Sequence, residues 1–192
     1  GDDDALEAWL GGDTSGDYKD FLLVCMKATR SSAPANARRA AEQAAALKGA
    51  LEGWGQNNEQ DAVRDIVANA SPAQMLAIRA AFDGDLIETI KDKCRGDWEK
   101  ALLSRAYTAV EYQTARLHGA FDRWGTDDRT TCRILGRNSK KMLGKISAQY
   151  QAWYGKSLQE AVEAETIRKN KQQGSGTLTV ESVVHTANVL EL

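Results

Sequence analysis

The sequence predicts an all-α fold assembled from repeated short helices. Three observations carry that expectation. Alanine fills 29 of 192 positions and proline only two, a composition that favours helix. Apolar residues recur at helical spacing between joints rich in Gly and Asp. Two sequence landmarks also alternate along the chain in consistent order, the mark of a repeat architecture.

From the N-terminus, Gly16-Asp17-Tyr18 opens a short helix that carries Leu22-Leu23. Arg30-Ser31-Ser32-Ala33-Pro34 interrupts helix and acts as a linker. An alanine-rich helix follows and runs into the second landmark, Leu47-Lys48-Gly49-Ala50-Leu51-Glu52-Gly53-Trp54-Gly55. Ala62, Val63, Ile66, Val67 and Ala70 mark the next amphipathic stripe. Ser71-Pro72-Ala73-Gln74 reads as an N-cap Ser, a Pro at the first helical position and a capping-box Gln at the third. Met75, Ile78 and Phe82 then share one helix face, and Leu86, Ile87 and Ile90 mark another helix. Gly96-Asp97-Trp98 with Leu102-Leu103 returns to the first landmark at an offset of 80. Leu117-His118-Gly119-Ala120-Phe121-Asp122-Arg123-Trp124-Gly125 returns to the second at an offset of 70, and the linker accounts for the difference. Asp17 and Asp97 are expected to cap their helices.

Composition excludes several function classes. Lys plus Arg total 25 and Asp plus Glu 27, so the net charge of −2 argues against a polyanion binder built on bulk positive charge, while leaving room for a local basic patch. The longest apolar run, Phe21 to Met26, is far shorter than the roughly 18–20 residues of a membrane span. The chain opens Gly1-Asp2-Asp3-Asp4 with no basic n-region and no initiator Met, as a processed or truncated product would. Cys25, Cys94 and Cys132 form neither a zinc-like pair nor a disulfide framework, which points to an intracellular protein in which each is a small buried apolar residue. His118 and His185 stand alone in sequence. Phosphate-loop, nucleophile-elbow and His-Glu-x-x-His motifs are all missing, so no enzymatic activity is expected.

One stretch suggests metal chemistry. Trp124-Gly125-Thr126-Asp127-Asp128 lies between helices, and Glu165 follows Thr126 after 38 intervening residues. A tight loop can aim backbone carbonyls at one point, and a distant carboxylate can complete a cage of hard oxygens of the kind calcium prefers. An EF-hand reading of Asp13-Ser15-Asp17 fails, because the twelfth position is Val24 rather than Glu. Trp54 and Trp124 could be core residues, but their glycine-bounded loops favour contact with a membrane interface.

Here the chain resembles the annexin family. Tyr150-Gln151-Ala152-Trp153-Tyr154-Gly155-Lys156-Ser157-Leu158, running on to Glu165-Thr166, is similar to the second half of the fourth annexin repeat. Gly96-Asp97-Trp98-Glu99-Lys100 resembles the end of the third repeat, and Gly12-Asp13-Thr14-Ser15-Gly16-Asp17-Tyr18 the end of the second. The resemblance covers roughly residues 4–166. It implies annexin-like repeats of about five helices in a right-handed superhelix, and calcium-dependent, peripheral attachment to acidic phospholipid membranes from the cytoplasm. The alternative is a calcium-independent structural or scaffolding subunit that uses a degenerate form of the fold.

Carried over position by position, the family pattern implies one weak calcium site, with carbonyls from Phe121, Arg123 and Gly125 and the carboxylate of Glu165. Arg123 departs from the first glycine of the pattern. In the preceding repeat Gly55 is kept but Lys93 stands where the acid belongs, a charge that repels calcium. Asp13 has the acid position of the first, partial repeat and so holds half a site. These alignments divide the chain into a partial repeat at 1–30, a linker and helix start at 31–44, repeats at 45–107 and 108–166, and a divergent tail at 167–192. The tail lacks the Gly-Asp-aromatic helix of the pattern, reads Ile167-Arg168-Lys169-Asn170-Lys171-Gln172-Gln173-Gly174-Ser175-Gly176 and then a β-branched stretch, and is expected to dock a protein partner. No nucleic-acid partner is expected.

Overall fold

The computed structural model describes residues 2–27, 30–53, 59–122 and 127–172, and among these every regular element is α-helix. Contacts divide the chain into two units, Gly1–Thr108 and Ala109–Leu192. The first contains α1 (Asp2–Asp13) and α2 (Gly16–Lys27), followed by a set of five: α3 (Ala37–Glu52), α4 (Glu59–Asn69), α5 (Pro72–Ala81), α6 (Leu86–Lys93) and α7 (Gly96–Ala106). The second contains α8 (Ala109–Asp122), α9 (Asp128–Arg137), α10 (Lys140–Tyr154) and α11 (Leu158–Gln172). No described helix is long and apolar enough to cross a membrane.

The Gly-Asp-aromatic landmark is a device for starting a helix abruptly. Gly16 and Gly96 stand at φ +61° and +67°, a left-handed backbone that costs an L-residue about 1–2 kcal/mol. The turn places Asp17 and Asp97 inside the first helical turn rather than at the cap. Arg95 holds the N-cap position of α7 without a side-chain cap bond, its guanidinium donating back to the Lys91 and Cys94 carbonyls, and the Asp97 carboxylate accepts from Lys100 Nζ at 2.8 Å. The expected capping role is therefore replaced by a favourable charge at the positive end of the helix. The two landmark helices also meet: Phe21 of α2 packs edge-on against Trp98 of α7 at 5.5 Å.

Around that contact the first unit buries Leu47 and Leu51, Val63 and Val67, Met75 and Ile78, Leu86 and Ile90, and Leu102. The linker is tied down by Arg30, whose Nε donates to the Ala70 carbonyl and Nη2 to the Arg105 carbonyl, both at 3.1 Å. One guanidinium thus satisfies carbonyls at the negative ends of α4 and α7. Ser71 caps α5 as the sequence implies, with Oγ accepting from Gln74 N–H at 3.0 Å. Gln74 takes a different partner from the one a capping box would give it. Its Oε1 accepts from Asn36 N–H at 2.7 Å and its Nε2 donates to Gln43 Oε1 at 2.8 Å, because α5 packs on α3 and carries the Gln74 amide to the start of that helix.

The second unit closes on Leu117, Ile134, Leu143, Ile146, Tyr150, Leu158 and Ala161. Gly155 ends α10 in left-handed backbone at φ +70°. Ser157 and Glu160 then open α11 with a reciprocal capping box, Ser157 N–H to Glu160 Oε2 at 2.7 Å and Glu160 N–H to Ser157 Oγ at 3.1 Å. The cysteines divide three ways. Cys94 is buried and its thiol is pushed up to about 11 by that burial, Cys25 is half-buried, and Cys132 is exposed on α9 rather than in the core.

Candidate metal centre

The candidate loop leaves the C-terminal end of α8. Asp127 N–H donates to the Ala120 carbonyl at 3.2 Å and so pins the two ends of the loop together. Asp127 is also the N-cap of α9, accepting from Thr130 N–H at 3.0 Å and from Thr130 Oγ1 at 2.6 Å. Phe121, in the last turn of α8, is half-buried with its ring edge-on to Tyr150 at 6.4 Å. The carbonyls of that turn point out of the negative end of the helix, a favourable place for a cation. Arg123, Trp124, Gly125 and Thr126 lie outside the described residues, as do Trp54 and Gly55 of the equivalent loop.

Glu165 sits on α11, which packs against α8 and α10, and it is only 8% exposed. Its backbone setting differs from that of its counterparts. Asp13 is the last residue of α1 and Lys93 the last of α6, and each is followed three residues later by the left-handed Gly16 or Gly96. The position three residues after Glu165 is Arg168. With no glycine to break the helix, α11 runs on past Glu165 to Gln172. Asp13 is exposed, and Lys93 is exposed and paired with Asp92 at 3.1 Å.

Among the described residues no three His, Cys, Asp or Glu side chains converge as a metal cluster. The donors present fit a hard cation in kind, as carbonyls at a helix C-terminus and one buried carboxylate, and they require the backbone to supply most of the oxygens.

The Annexin family model matches residues 42–104 and 112–167, most of the described helical chain. The chain belongs to the annexin family. Human annexin A13 is 31% identical over 173 residues, covering 85% of this chain and 54% of that protein. Rabbit annexin A8 is 32% identical over 121 residues, covering 61% of this chain and 36% of its own length. Among solved structures, annexin III superposes with a TM-score of 0.72 at 24% identity, covering 96% of this chain and 55% of that one. A calcium-bound alpha-14 giardin gives a TM-score of 0.72 at 14% identity, covering 93% and 57%. The chain thus spans about a third to a half of the annexins it matches in sequence.

Between α8 and α10 of this annexin lies an aromatic cluster that sequence reading passed over. His118 stacks on Tyr154 at 3.7 Å with the rings 11° apart, and its Nδ1 lies 3.4 Å from the hydroxyl of the fully buried Tyr150. Burial pushes the Tyr150 hydroxyl up to about 12. Burial also lowers the His118 pKa, helped by Lys156 and opposed by Asp122. His118 is isolated in sequence, but Tyr150 and Tyr154 are four apart and share a face of α10, which is the available signal.

Proposed function

We propose that this annexin attaches peripherally to acidic phospholipid membranes on the cytoplasmic side through calcium. The ion would be held by the carbonyls of Phe121, Arg123 and Gly125 and by the carboxylate of Glu165. The supporting observation is that one unit combines a loop clamped by the Asp127–Ala120 hydrogen bond with a buried Glu165 on a helix packed against α8. Calcium would link these oxygens to a phospholipid phosphate. A single carboxylate among neutral carbonyls sets a weak affinity, roughly 10⁻⁴–10⁻³ M without lipid. Trp54 and Trp124 would add interfacial burial, about 2–3 kcal/mol for an indole burying roughly 100 Å². The repeats at 45–107 and 108–166 would carry these loops, and the segment 167–192, of which 173–192 lies outside the described residues, would dock a protein partner.

A calcium-independent scaffolding role has its own support in Lys93 at the acid position and in the unbroken helix through Glu165. Co-sedimentation with phosphatidylserine vesicles separates the two. Pelleting in calcium and release by a chelator support membrane attachment, and the same behaviour under both conditions supports the scaffold. Alanine at both Trp54 and Trp124 should reduce the pelleted fraction, and an unchanged fraction would return both indoles to protein packing.

A further inference from the structure

The second unit carries a basic groove that the calcium reading does not use. Arg116 of α8 and Arg133 and Arg137 of α9 line a cavity of about 420 Å³ together with Tyr112 and Ile134, and no carboxylate is among the described residues that line it. Three guanidiniums gather here in a chain whose net charge is −2. The groove is braced from both ends. Arg116 Nη2 donates to Thr130 Oγ1 at 3.0 Å near the start of α9. Asn138, just past the end of α9, donates through Nδ2 to Gln113 Oε1 on α8 and to the Ile134 carbonyl at 2.7 Å. These bonds fix the spacing of α8 and α9 and hold Arg116 in place before any ligand arrives.

We propose that this groove binds a small polyanion bearing phosphomonoester groups, independently of calcium. Guanidinium forks match phosphate oxygens in pairs, and three of them around one groove call for a ligand with several negative charges rather than a single carboxylate. The volume lies within the roughly 300–1,000 Å³ of small-molecule sites, enough for a ring-sized headgroup. Tyr112 and Ile134 offer an apolar surface to the face of such a ring. Arg116 is half-buried and held over the Tyr112 ring at 5.9 Å, whereas Arg133 and Arg137 are exposed and able to close on the ligand.

The test is titration with inositol trisphosphate in the presence of a calcium chelator. The parent chain binds, Arg133→Gln with Arg137→Gln weakens binding about tenfold or more, and Arg129→Gln stays within about twofold. Arg129 is the control because it is exposed on the same helix but does not line the groove. All three substituted arginines are exposed, so the variants should keep the parent's circular dichroism and melting profile. A vesicle arm then identifies the source of the phosphate. Preference for phosphatidylinositol bisphosphate over phosphatidylserine at matched total charge, lost in the double variant, assigns a lipid headgroup, and binding of the trisphosphate without that preference assigns a soluble anion. No binding in chelator, no loss in the double variant, or an equal loss in Arg129→Gln overturns the proposal. None of these outcomes depends on Glu165, so a failed calcium site and a failed groove are distinguishable.

Discussion

Replacing Gly96 with Ala isolates what the left-handed start of α7 contributes. A Cβ built on Gly96 meets nothing within 4 Å, so the substitution adds no steric clash. What remains is the backbone, held at φ +67°, where an L-residue is disfavoured by about 1–2 kcal/mol. Alanine also narrows the unfolded ensemble, but where φ is positive the native strain outweighs that gain. Gly96→Ala should therefore destabilise by about 1–2 kcal/mol, read as a lower urea midpoint at unchanged slope. Gly96→Asn should cost less, because Asn tolerates this backbone better. A Gly96→Ala midpoint equal to or above that of the parent, or an Asn variant weaker than the Ala one, would refute the claim that a left-handed turn separates α6 from α7. Such a result would also undercut the explanation of why α11, with Arg168 in place of glycine, continues as one helix.

Other consequences concern single contacts. Arg30→Ala leaves the Ala70 and Arg105 carbonyls without their charged donor and should cost about 1.5–3 kcal/mol in urea unfolding. Gln74→Ala removes the acceptor of Asn36 N–H and should cost about 0.5–1.5 kcal/mol, whereas a loss no larger than that of an exposed-residue control would show the bridge to be idle. His118 titrates below its ordinary 6.5 because burial disfavours the imidazolium. The unfolded chain then binds more protons as pH falls through 6.5, so the stability this residue contributes is present above that pH and is lost toward the lower folded value. His118→Phe keeps a ring against Tyr154 and should flatten the fall in melting temperature as the pH drops below the ordinary 6.5, and an undiminished slope would place the titration elsewhere.

Much of the helical plan was legible because it is written locally. Ser71-Pro72, the Gly-Asp-aromatic starts and the apolar stripes at Met75–Phe82 and Leu86–Ile90 all act over a turn or two of helix, within reach of sequence reasoning. The side chains that act across helices were not legible. Gln74 looked like half of a capping box and serves α3 instead, since its partner is set by the packing of α5 on α3. His118 looked isolated and rests in an aromatic stack contributed by α10. Nothing local in the sequence joins Arg133 and Arg137 to Arg116, and only the packing of α9 on α8 brings the three to one groove. At the candidate metal centre the spacing nominates Glu165, but Arg168 stands where the other repeats have glycine, and Glu165 lies inside a helix where Asp13 and Lys93 end theirs.

Calcium titration of the parent chain and of Glu165→Gln by calorimetry tests the central claim most directly. One weak site in the parent, roughly 10⁻⁴–10⁻³ M, that disappears when the Glu165 carboxylate becomes an amide is the result predicted here. Equal calcium binding by the two proteins would contradict the site, and no binding by either would leave this annexin a calcium-independent scaffold.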